Sequence, residues 1–150
     1  MTMSYGLDTF LQPEIEGLDL PPQLGMFYMT LPRRGCGYLL KGGYSHDRPG
    51  VRDRGKVHKR TPMGLEIVAF WPGSYREEQD FFARHAGAVR VGNEYLAPDM
   101  PVITDLLSWL DHNDRNDSVT YTPGWDRPKI VNRLLELHHE WAAAEHGQHR

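Results

Sequence analysis

Two apolar runs separated by only five residues restrict this chain more than any other feature. GMFYMTL (Gly25 to Leu31) and GYLLKGG (Gly37 to Gly43) flank the linker Pro-Arg-Arg-Gly-Cys. So short a linker, punctuated by Pro and Gly, turns two extended segments back on each other, so a β-hairpin is expected. A third apolar run, LEIVAFW (Leu65 to Trp71), is rich in β-branched and aromatic residues and reads as a buried strand.

The clearest helix follows in PGSYREEQDFFARHAG. Ser74 with Glu77 three residues on is a capping box, and the helix should run to about Ala86 before Gly87 stops it. NEYLAP is a short extended piece. PVITDLLSWLDH is a second helix, ended by the polar run NDRNDS. The last helix has Asp126 as N-cap, Pro128 near its first turn and Gly147 as a stop. Its stripe of Ile130, Leu134, Leu137 and Trp141 must dock on the domain or on a partner. The expected fold is α+β, a small three-stranded antiparallel sheet flanked by helices, with a C-terminal helical extension. Residues 1–23, with Pro13, Pro21 and Pro22, read as an arm, 24–98 as the domain and 99–150 as the extension.

Hydrophobic residues at 39% and charged ones at 25% are ordinary for a globular domain, which argues against wholesale disorder. The single cysteine, Cys36, excludes an intramolecular disulfide and fits a reducing compartment. No apolar run approaches the ~20 residues that cross a bilayer, and the first residues lack the pattern of a secretory signal. A soluble cytoplasmic protein without a membrane partner is the expectation.

Charge is unevenly placed. Nine of the 17 Lys and Arg residues fall between Arg33 and Arg60 against two acids, a local net of +7 in a chain of net −3. A solvated face mixes signs, so this segregation points to a polyanion-binding patch that includes Arg33, Arg34, Lys56, Lys59 and Arg60.

Few residues suggest chemistry. Glu77 is occupied by the capping box, whereas Glu78 shares a helix face with Phe81, Phe82 and His85. It is either a first-turn acid favoured by the helix dipole or a carboxylate held by a cation. Tyr28 lies mid-strand, as a core residue or as a base beside a metal. Lys41, Arg52 and Arg54 suit a phosphate, and His58 sits among them. The other histidines form no metal-binding spacing, and no phosphate-cradling loop or nucleophilic serine setting is present.

In order, these pieces resemble the GIY-YIG nuclease superfamily. GMFY (Gly25 to Tyr28) is similar to its first motif and KGGYS (Lys41 to Ser45) to its second, as written in a phage and bacterial branch. LEIVAFWPG, REEQDFFARHAGAVRV and NEYL follow as the strand, the glutamate helix and the closing segment. The likeness covers Gly25 to Pro98. Gly42 replaces an isoleucine, which should loosen the second strand. The resemblance implies a DNA endonuclease with one Mg²⁺ or Mn²⁺ on Glu78. It implies Tyr28 as general base helped by Lys41 or Tyr44, and Arg52 or Arg54 as phosphate clamp, Arg54 with His58 four positions on. The other readings are a DNA-binding module that has lost cleavage and a factor that binds a protein partner through the C-terminal helix.

Overall fold

The computed structural model describes residues 24–45, 64–90 and 95–147. The N-terminal arm lies outside the described residues, as does the basic run, where the interruptions at Pro49, Gly50 and Gly55 suggest a short or irregular helix somewhere within Gly50 to Arg60. β1 (Leu24–Pro32) is the hub. It pairs antiparallel with β2 (Lys41–Ser45) on one side and with β3 (Leu65–Ser74) on the other. The alternation in β1 separates its side chains, with Phe27, Met29 and Leu31 joining the large core. Tyr28 faces the other way, in a smaller cluster with Ile67 flanked by Met26 and Phe70.

The hairpin forms, but its second strand begins later than the sequence suggests. Gly35 and Gly37 adopt φ of 85° and 100°, a left-handed conformation that breaks the extended backbone before Leu40. Leu40 then bridges to Leu96, exchanging two hydrogen bonds of 2.9 Å, and the ladder with β1 starts only at Lys41. In β3, Ala69 faces Met29 while Ile67 faces Thr30, so Val68 is the extra residue of a bulge. On the other edge of β3 the Val68 carbonyl accepts a 3.0 Å bond from the Thr122 amide.

That contact accompanies the main departure from the expected sheet, which has four strands, not three. β4 (Val89–Arg90) and β5 (Tyr95–Leu96) form a separate two-stranded ribbon, and β6 (Thr120–Tyr121) adds to β3, giving the order β2-β1-β3-β6. Two residues carry no periodicity, and only tertiary pairing reveals β6.

Three α-helices complete the described fold. α1 (Tyr75–Arg84) opens on the expected capping box: the Glu77 amide donates to Ser74 Oγ at 3.1 Å and the Ser74 amide to Glu77 Oε1 at 2.8 Å. It ends before Ala86, because His85 leaves helical geometry and a short 3₁₀ turn, Ala86–Ala88, takes over. α2 (Met100–Arg115) is capped by Asp99, and α3 (Arg127–Gly147) by Asp126, whose side chain accepts from the Lys129 amide. Phe27 packs against Trp71 and Trp109 at ring separations of 5.2 and 4.1 Å, and Phe81 of α1 closes the group. Ile130, Leu134 and Leu137 of α3 are fully buried in the same core, so the helical stripe docks on its own domain. No described helix is long and apolar enough to cross a membrane.

Candidate active site

The β1–β2 ladder positions two of the expected site residues. Tyr28 stands opposite Gly43 and Thr30 opposite Lys41. Residues that face each other across an antiparallel pair share a side of the sheet, as do residues two apart, so Tyr28 and Lys41 lie on one face. Thr30 fixes that end of the ladder by donating its hydroxyl to the Lys41 carbonyl. The Lys41 ammonium lies 5.5 Å from the centre of the Tyr95 ring, a cation–π distance.

Tyr28 is 1% exposed, with its ring laid across Gly43. Phe27 does the same to Gly42 on the opposite face: a Cβ at Gly42 would stand 2.6 Å from Phe27 Cζ. At Gly42, where the sequence suggests a looser strand, the space of the missing side chain is filled. The missing isoleucine leaves room for a phenyl ring fixed between Trp71 and Trp109, and the strand is packed there rather than slack. Tyr44 pairs with Phe27 in the backbone register.

Glu77 and Glu78 are distinguished by their surroundings. Glu77 is exposed and bound to the cap; Glu78 is half-buried, one turn ahead of the buried Phe81. A half-buried carboxylate in a helix's first turn fits a hard cation that keeps several waters. Among the described residues, no three His, Cys, Asp or Glu side chains converge as a metal cage. Arg52, Arg54, Lys56, His58, Lys59 and Arg60 lie outside the described residues. Arg33 and Arg34 are exposed in the turn after β1, and Arg34 is already paired, 2.9 Å from Glu136 Oε1. Hydrogen bonds from Arg34 and from Arg133 hold the Glu136 carboxyl below its ordinary range.

Two groupings escaped the sequence reading. Between α1 and α2, Asp105 Oδ2 lies 2.9 Å from Arg84 Nε and 2.6 Å from His85 Nε2, at the edge of a cleft of about 480 Å³. Burial works to raise the Asp105 carboxyl, but the hydrogen bonds from Arg84 and His85 outweigh it and hold it low. Across the molecule Arg133, only 6% exposed, donates to the Pro32 carbonyl at 3.0 Å and to Glu136 at 3.1 Å. The Asp105 grouping has no local pattern because it joins two helices; in the other, Arg133 and Glu136 stand three apart on one helix, but the Pro32 carbonyl is met only through packing of distant segments. No family model, curated protein or solved structure matches this chain.

Proposed function

We propose that the chain is a metal-dependent DNA endonuclease of the GIY-YIG kind. The observation that carries the reading is the placing of Tyr28 and Lys41 on one face of the β1–β2 hairpin, at the positions of the two motifs. The order of hairpin, strand and capped helix bearing Glu78 supports it. In this reading Glu78 holds a single Mg²⁺ or Mn²⁺, which supplies charge stabilisation at the scissile phosphate. Tyr28 takes the proton of the attacking water, with Lys41 beside it or Tyr44 assisting. Arg52 or Arg54 clamps the phosphate, the latter with His58 four positions on as in some members of that family, and the basic segment meets the DNA backbone.

The burial of Tyr28 favours a second reading, in which the hairpin is structural and the chain binds DNA without cutting it. A plasmid-nicking assay with Mg²⁺ or Mn²⁺ separates the two. The first reading expects the parent to nick, Glu78→Gln to be inactive and Glu77→Gln to retain cleavage. A parent that binds DNA but nicks with neither metal leaves the second reading.

A further inference from the structure

We infer a site for a phosphate-bearing single-stranded nucleic acid, sharing Arg33 and Arg34 with the basic patch, in the groove between the turn after β1 and the first turns of α3. The groove has a volume of about 500 Å³, within the roughly 300–1,000 Å³ range of small-ligand sites. Four cations line it, Arg33, Arg34, Lys129 and Arg133, against the two acids Glu66 and Glu136. Glu136 is shared: Arg34 reaches it at 2.9 Å and the buried Arg133 at 3.1 Å. Arg133 also reaches Glu140, at the longer distance of 3.4 Å. With Glu140 counted beside Glu66 and Glu136, the four cations still exceed the three acids by one, and the planar fork of arginine matches phosphate oxygens.

Trp125 decides the class of anion. It lines the groove half-exposed, and its indole N–H donates to Glu66 Oε2 at 3.1 Å, which fixes the ring in place. Lys129 is likewise placed, its ammonium donating to the Gly124 carbonyl at 3.0 Å. A fixed aromatic surface beside cations suits a base stacked next to its own phosphate, the combination that binds single strands with little sequence preference. An acidic peptide would use the cations and leave the indole without a stacking partner.

The inference does not rest on cleavage, because its test uses no metal. Anisotropy of a fluorescent oligothymidylate in chelator, titrated with the full chain, reads binding directly. Arg34→Glu with Lys129→Glu should weaken binding at least about tenfold and reduce the salt slope by about 1.4, the share of two single-strand phosphate contacts. Glu136→Gln, which removes the carboxylate charge from Arg34 and from Arg133 while Arg133 keeps its contacts to Glu140 and the Pro32 carbonyl, should tighten binding, a gain that misfolding does not mimic. Thymidine 3′,5′-bisphosphate competing as well as the oligomer, molecule for molecule, would replace the strand by a free nucleotide and overturn the inference in its stated form. Unchanged affinity in the charge-reversed variant, or polyglutamate competing as well as the oligomer, would remove the site altogether. Loss of nicking with intact oligomer binding would instead strike only at the endonuclease.

Discussion

The ring of Tyr28 lies across Gly43, its direct partner in the β1–β2 ladder, while Phe27 next to it covers Gly42 on the other face. Two aromatic side chains thus take the volume that side chains on β2 would fill. Phe27 is fully buried among Trp71 and Trp109 and has nowhere to swing. Gly42→Ile, which restores the residue expected by family likeness, should therefore destabilise the fold by about 1–3 kcal/mol, the cost of overpacking. Gly43→Ala should behave likewise. Urea unfolding checks both, and a Gly42→Ile protein more stable than the parent would mean that the rings turn aside without cost.

What the sequence made legible was local. The hairpin linker, the LEIVAFW strand and the Ser74–Glu77 box each declare themselves within a few residues, and each is present in the structure. Because the box occupies Glu77, the distinction between Glu77 and Glu78 was legible as well. The start of β2 was not, because Tyr38 to Leu40 look strand-like whether they pair with β1 or, as Leu40 does, with Leu96. Strand β6 was invisible, since its two residues are too few to show alternation and pair with Ala69 and Phe70 only through tertiary packing. Arg133 sits at an ordinary position of a helix. It is nonetheless buried and donates to the Pro32 carbonyl, 101 residues away in the chain, and no periodicity reports that.

The capping box yields a prediction that separates stability from chemistry. Ser74→Ala removes the acceptor for the Glu77 amide and should cost on the order of 1 kcal/mol. Glu77→Gln keeps a weaker, neutral version of the reciprocal bond and gives up part of the favourable interaction with the helix N-terminus, a loss of about 0.3–1 kcal/mol. Thermal unfolding should rank the parent first, Glu77→Gln second and Ser74→Ala last. A reversed order would show that the glutamate is engaged in more than the cap.

Acid should loosen the α1–α2 contact through Asp105. Its carboxyl titrates below the ordinary value of 3.8 in the folded chain, because bonds from Arg84 and His85 outweigh the burial that would raise it. A carboxyl whose folded value is depressed contributes stability above its unfolded value and loses it as pH falls through the folded one. The parent should therefore lose stability from about pH 5 downward, and Asp105→Asn should show a shallower acid limb. Asp111, held low by its hydrogen bond from Arg127, keeps a residual slope in the variant. Urea midpoints across that range make the comparison, and parallel curves for parent and variant would contradict the assignment.

Deleting α3 should unfold the chain rather than trim it. Ile130, Leu134 and Leu137 are each 0% exposed and belong to the same core as Phe27, Trp71 and Leu110. Loss of a buried leucine side chain alone costs about 2–5 kcal/mol, depending on how far the surroundings collapse. Against a typical total stability of roughly 5–15 kcal/mol, removing three such residues and the buried Arg133 leaves little margin. Leu134→Ala should accordingly lower the melting temperature by many degrees, and a chain ending at Thr122 should show no cooperative transition. Leu135→Ala is the control on the same helix: 39% exposed, it should melt close to the parent. If the truncated chain instead melted at the parent's temperature, the stripe would not be part of the core. The helix would then be available to a partner, as a protein-interaction role requires. Similar melting of Leu134→Ala and Leu135→Ala would point the same way, because only docking on the domain makes the two leucines unequal.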